Sequence, residues 1–211
     1  MISETDIYNY AEVFSTGESP LLQKLNRETH LKILYPRMLS GKLQGNLLKM
    51  LSCMLRPSSI LEIGTYTGYS AICLAEGLTD KGMLHTIEIN PELEDMICRY
   101  FKEAGITTKT TLHIGNAMDI VPTFSTTFDL VFIDANKENY LNYYNMVFDK
   151  VRKGGIIIAD NVLWGGKVLK ENANDKETKG IKEFNEFVQQ DKRVENMLLP
   201  LRDGLMIIRK L

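Results

Sequence analysis

Phe128-Asp129-Leu130-Val131-Phe132-Ile133-Asp134-Ala135-Asn136-Lys137 is an apolar run that ends on a carboxylate, with a lysine three residues further on. Its consecutive apolar residues read as a strand buried on both faces, and Asp134 marks the exit from the core. Gly155-Ile156-Ile157-Ile158-Ala159-Asp160-Asn161 repeats the pattern and ends on an acid and an amide. Outward from this pair, short apolar strands are expected at 60–63, 83–89, 110–114, 129–133 and 155–159. Amphipathic helices are expected between them at 69–78, 91–104, 117–121 and 138–151. Such alternation argues for βαβ units: an α/β fold with a mostly parallel sheet, helices on both faces and right-handed crossovers.

The flanks differ. Residues 1–58 read as an all-helical extension. One helix is expected over 2–14 with Ser3 as a possible N-cap, and a second over 21–34, opened by Pro20. The second helix is expected to bury Leu21, Leu22, Leu25 and Leu31. A third, over 42–55, carries Leu43, Leu47, Met50, Leu51 and Met54 at helical spacing. After the last parallel strand, 167–179 is polar and reads as a surface loop. A helix at 179–190 offers Ile181, Phe184, Phe187 and Val188 as its buried stripe. Strands at 194–201 and 205–208 meet across Arg202-Asp203-Gly204, and the Asp-Gly is a hairpin signal. The sheet should therefore finish with an antiparallel pair, and the chain reads as one domain over 1–211, with its α/β core at 59–211.

Composition narrows the class. With 211 residues and 44% hydrophobic content the chain can build a core without staples. A net charge of -2 supplies no global field for nucleic acid or anionic membrane, although a local basic surface stays open. Cys53, Cys73 and Cys98 are too scattered for a disulfide framework or a thiolate site; they read as small buried apolar residues in a reducing cytosol. The first ten residues contain Glu4 and Asp6 and no apolar signal core, and no apolar run approaches ~18 residues, so a cytoplasmic location without a membrane span is expected. His30, His85 and His113 share no metal-ligand spacing, and G-x-S-x-G is absent.

Leu61-Glu62-Ile63-Gly64-Thr65-Tyr66-Thr67-Gly68-Tyr69-Ser70 reads as strand, glycine turn and helix start. Glycines let backbone approach a ligand, and a helix N-terminus favours an anion. A purely structural turn explains the same spacing. Glu88, near the end of the next strand and about twenty residues on, stands where an acid accepts hydrogen bonds from ribose hydroxyls. Gly115-Asn116-Ala117 ends the third strand on the same edge, against a possible adenine. A nucleoside-containing ligand is the economical reading.

Asp134 and Asp160-Asn161 end consecutive strands, which lie ~4.8 Å apart in a sheet. Two carboxylates and an amide oxygen suit Mg²⁺, Ca²⁺ or Mn²⁺ rather than zinc. Three protein ligands leave about three places in an octahedron, enough for a bidentate substrate and a water. A cation lowers the pKa of a bound hydroxyl, and a lysine beside a cation is a candidate base. This makes Lys137 the proton acceptor to consider.

Together LEIGTYTGYS, TIEINP, FIDANKENY, ADNVLWGG and PLRDGL resemble the cation-dependent O-methyltransferases, a group that includes the catechol and caffeoyl-CoA enzymes and small bacterial relatives. The resemblance covers roughly 36–211. It implies a Rossmann-like class I S-adenosylmethionine-dependent methyltransferase with a seven-stranded sheet. It also implies S-adenosylmethionine as donor, Mg²⁺ as cation and a homodimer. On it, Gly64, Tyr66 and Ser70 match the donor loop, Glu88 the ribose acid, and Glu62 an acid near the methionine amino group. Ala117 falls at a donor contact that is serine in the catechol enzymes, while Met38 and Ser40 match the segment covering the donor. Asp134, Asp160 and Asn161 match the metal ligands, with Asp134 also counted against the donor, and Lys137 matches the base. Asn136 stands where the catechol enzymes place tryptophan, which leaves the acceptor open between catechol-like and hydroxycinnamoyl compounds, with a transfer-RNA hydroxyuridine as alternative. Two readings of other classes are a nicotinamide-dependent oxidoreductase, disfavoured by the missing G-x-G-x-x-G, and a non-catalytic nucleoside-binding module.

Overall fold

A computed structural model describes residues 4–211; the expected cap Ser3 lies outside this range. Three helices lead in: α1 Glu4–Val13, α2 Pro20–Lys32 and α3 Gly41–Leu55. Then strands and helices alternate: β1 Ser59–Ile63, α4 Tyr69–Ala75, β2 Met83–Glu88, α5 Glu94–Glu103, β3 Thr110–Ile114, α6 Ala117–Ile120, β4 Phe128–Ile133, α7 Tyr140–Phe148 and β5 Val151–Asp160. Helix α8, Lys176–Gln190, leads to β6 Val194–Leu199 and β7 Leu205–Lys210.

The seven strands form one sheet in the order β3-β2-β1-β4-β5-β7-β6. β1 to β5 pair in parallel, and β7 runs antiparallel to both β5 and β6. Chain order reverses between β1 and β4, so the carboxyl ends of these strands open a crevice at the switch point. Side chains alternate between two cores. Val131 and Ile133 of β4 face Tyr140, Tyr144 and Phe184, whereas Leu130 and Phe132 face Leu74, Tyr100 and Leu48. Burial on both faces demands the unbroken apolar run from Leu130 to Ile133, and this is why β4 carried the clearest signal.

Several expectations need correction. Strand β5 begins four residues early and α7 ends three residues early, because Lys153-Gly154-Gly155 does not continue a helix; the β4–β5 register shifts between Phe128 and Leu130 instead. Segment 167–179 is not all loop: a 3-10 segment covers Trp164–Leu169, and α8 starts at Lys176, where the Asp175 side chain accepts the Thr178 N–H at 3.0 Å. In α2, Leu31 is exposed and Thr29 takes the buried place.

In α3 the apolar stripe is buried only in part: Leu47 and Leu51 pack against the core, Met50 and Met54 are exposed, and the fully buried face is Gln44, Gly45, Leu48 and Ser52. The helix turns its small and polar side against α4, with the Ser52 hydroxyl donating to the Leu74 carbonyl at 2.6 Å. Phe187 is half-exposed against Tyr144. Cys73 is buried, but Cys53 and Cys98 are exposed. His85 and His113 are structural, sharing a contact of 3.2 Å and packing on Phe124. Among the described residues no helix is long and apolar enough to cross a membrane.

Candidate active site

The crevice over the switch point is a cleft of about 870 Å³. Gly64, Tyr66, Glu88 and Ala117 line one side, and Asp134, Lys137, Asp160 and Asn161 the other, with Met38 at the rim. A small cavity beside it reaches Ser40 and Ser70. The structure therefore brings every expected site residue to one place except Glu62, which lines neither space.

On the first side, β1 hands over to α4 through Gly64, at φ +101, and Gly68, at φ +92. Glycine at 64 also answers a packing demand that the sequence did not show. A Cβ there would meet the Asp134 carbonyl oxygen at 1.9 Å, so the missing side chain lets the end of β4 rest on the loop. Tyr66 has φ 53, and its N–H donates to Glu88 Oε2 at 2.6 Å, while the Asn90 N–H donates to Oε1 at 2.9 Å. Each carboxylate oxygen keeps a lone pair for a ligand hydroxyl. Burial raises the Glu88 carboxyl, and the N–H groups of Asn90, Tyr66 and Ile89 pull it back.

Glu62 is fully buried on β1. Its Oε2 accepts the Thr86 hydroxyl at 2.5 Å, and its Oε1 has no hydrogen-bond partner. Burial pushes this carboxyl up to about 8, against the hydroxyls of Ser70 and Thr86. A buried acceptor without a donor is costly alone and fits an incoming ammonium group.

On the second side, Asp134 leaves β4, and the 3-10 turn after it carries Lys137, which is 7% exposed. Its Nζ donates to Asp134 Oδ1 at 2.8 Å and to the Tyr140 hydroxyl at 2.6 Å. Tyr140, fully buried, donates its own hydroxyl hydrogen bond to the Asp160 backbone carbonyl at 2.7 Å. From below, α8 presses on this turn at Gly180, where a Cβ would meet the Lys137 carbonyl at 2.5 Å. Lys137 is thus fixed from three directions.

Asp160 is 2% exposed, and burial with the neighbouring Asp134 carboxylate pushes its carboxyl up, while Lys137 and Gln44 oppose the rise. Asn161 takes a left-handed conformation at φ 59. No cluster of three or more His, Cys, Asp or Glu that could hold an ion occurs among the described residues, so a cation here would rest on two acids and an amide. That oxygen set suits a hard divalent cation.

Gln44, Arg202 and Tyr140 were not assigned from the sequence, and all three touch this machinery. Arg202 lies inside the PLRDGL motif and was treated only as a turn residue. Gln44 left a faint signal, as a polar position that breaks the α3 stripe. Trp164, at φ 48, adds an aromatic wall to the cleft.

The O-methyltransferase family profile matches residues 12–211. A caffeoyl-CoA O-methyltransferase of Petroselinum crispum is 31% identical over 223 aligned positions, spanning 100% of this chain and 89% of that protein. A catechol O-methyltransferase of Niastella koreensis is 34% identical over 162 positions, spanning 75% of this chain and 73% of its own. Among solved structures, the O-methyltransferase TomG of Streptomyces achromogenes, in complex with S-adenosylmethionine, superposes with a TM-score of 0.91 at 29% identity, covering 99% of each chain. The Bacillus cereus O-methyltransferase, in complex with S-adenosylhomocysteine, gives 0.87 at 27% identity and 97% of each chain. These relatives replace the nicotinamide reading. A parallel sheet reversing between β1 and β4 and a family match over nearly the whole length agree: the chain belongs to the O-methyltransferase family and is an S-adenosylmethionine-dependent O-methyltransferase.

Proposed function

We propose that the enzyme methylates a hydroxyl adjacent to a second oxygen, on a catechol-like or hydroxycinnamoyl acceptor, with Mg²⁺ held by Asp134, Asp160 and Asn161. One observation carries this reading. Two carboxylates and an amide end neighbouring strands beside the buried Lys137, in the same cleft as Glu88 and Tyr66. A bound cation there would orient both acceptor oxygens and acidify the one to be methylated.

The chain's own residues do the rest. Glu88, pinned by two backbone N–H groups, presents its free lone pairs to the ribose of the donor. Glu62 offers an unpaired carboxylate oxygen to the donor's ammonium. Lys137 Nζ, held between Asp134 and Tyr140, accepts the hydroxyl proton on the lone pair of its free-amine form and becomes the ammonium that Asp134 pairs; the oxygen then attacks the sulfonium methyl in line, releasing S-adenosylhomocysteine. Positioning should dominate the gain, since well-oriented reactants reach effective molarities of roughly 10⁵ M or more. The relatives named for catechol and for caffeoyl-CoA support the acceptor class.

The test is methyl transfer from S-adenosylmethionine to catechols, monophenols and caffeoyl-CoA, with Mg²⁺ or with EDTA. Turnover should require the cation and the vicinal oxygen. Asp134→Ala should abolish it, by at least ~10³-fold, while S-adenosylhomocysteine still binds. Full turnover in EDTA would remove the cation from the mechanism, and equal turnover of monophenols would remove the second oxygen.

A further inference from the structure

We propose that Gln44, itself oriented by Arg202, is the positioning residue that aims the Asp160 carboxylate at the cation; this rests on the cation reading above.

Gln44 sits on α3, 116 residues from Asp160 in sequence, and is fully buried. Its Nε2 donates to Asp160 Oδ2 at 2.5 Å, and its Oε1 accepts from Arg202 Nη1 at 3.1 Å. Chemistry fixes the direction of this relay. A guanidinium only donates and a carboxylate only accepts, so the amide between them must turn its oxygen to Arg202 and its nitrogen to Asp160. Arg202 is anchored in turn on the Ser40 carbonyl, at the start of α3. Its own backbone is held at φ 52 in the turn between β6 and β7.

The other carboxylate oxygen is also held. Asp160 Oδ1 accepts the Asn161 N–H at 2.7 Å. With one bond to each oxygen the plane of the carboxylate is set, and each oxygen retains a lone pair for a metal. The two acids are held differently: Asp134 by an ammonium at 2.8 Å, Asp160 by a neutral amide. An amide restrains the carboxylate without placing a formal positive charge against the site. The positive charge of Arg202 stands one amide further back. Partners of metal ligands commonly set the ligand's orientation, and their loss costs about 10- to 100-fold in metal affinity.

The test uses the full chain, with Mn²⁺ binding followed by electron paramagnetic resonance and S-adenosylhomocysteine binding by calorimetry. Gln44→Met keeps the volume and removes both hydrogen bonds. It should weaken Mn²⁺ about 10- to 100-fold and leave S-adenosylhomocysteine affinity roughly unchanged. Arg202→Met, which frees the amide to turn, should weaken Mn²⁺ in the same direction by less, and Arg202→Lys should restore part of the loss. These two variants carry the test if Gln44→Met does not fold. Unchanged Mn²⁺ affinity in the variants overturns the inference, as does a parallel loss of both ligands with a lowered Tm. If the wild-type protein takes up no Mn²⁺, the cation reading falls and this inference with it.

Discussion

The two sides of the cleft hold their acids by different means. On the β1–β2 side, both oxygens of Glu88 accept backbone N–H groups from Tyr66 and Asn90, within 22 residues of the acid. On the β4–β5 side, Asp160 depends on a side chain from α3 116 residues away, and Asp134 on a lysine set by α8 and by Tyr140. The first side is held by backbone N–H groups and the second chiefly by side chains, those of Lys137 and Gln44. Donor binding should therefore survive damage that removes the cation and the base. The sides meet at one point, where the Asp134 carbonyl lies against Gly64.

The largest separation between them should come from Lys137→Met. It removes the proposed proton acceptor, and kcat should fall by about 10²- to 10⁴-fold while S-adenosylhomocysteine affinity stays within a few-fold. A wild-type kcat would place the base elsewhere. Gly64→Ala should break the comparison itself. A methyl group driven into the Asp134 carbonyl at φ +101 strains the donor loop and displaces β4. Donor affinity, cation affinity and Tm should all drop, with a stability loss of at least ~1 kcal/mol in a denaturant series. Loss of only one ligand would show that the two sides are not joined there.

The same division explains what could be read before the fold was seen. Strand β4 announces itself because burial on both faces demands the apolar run Leu130-Val131-Phe132-Ile133, β1 and β2 show shorter apolar runs, and Glu88 follows from its distance to the glycine loop. Asp134, Lys137, Asp160 and Asn161 were legible as strand ends. What holds them was not. Gln44 and Arg202 reach the site only through the packing of α3 and the hairpin turn, which no local periodicity encodes. The α3 stripe misled for the same reason: a helix packed through Gly45 and Ser52 hides its small residues and leaves Met50 and Met54 outside. Gly64 was singled out for a ligand, and the neighbouring strand adds a second demand for glycine that its local sequence does not show.

The last predicted effect is a proton. Glu62 has an ordinary carboxyl value of 4.5 when unfolded and about 8 when buried, so the folded chain holds a proton that the unfolded chain has lost between those limits. Its contribution to stability is complete below pH 4.5 and declines as pH rises to about 8, the reverse of a salt-bridged acid. An ammonium brought against Oε1 favours the ionised form and expels that proton. Binding of S-adenosylhomocysteine near pH 6.5 should then release up to about one proton, measurable by calorimetry in buffers of different ionisation enthalpy, and the release should fade above pH 8. Glu62→Gln should abolish it and weaken the donor by roughly 1.5–3 kcal/mol, with Mn²⁺ affinity unaltered. Binding without proton release at pH 6.5 would mean that Glu62 is already ionised, or that the donor's amine does not reach it. Either result would move the donor side away from the simple backbone-held geometry that Glu88 displays.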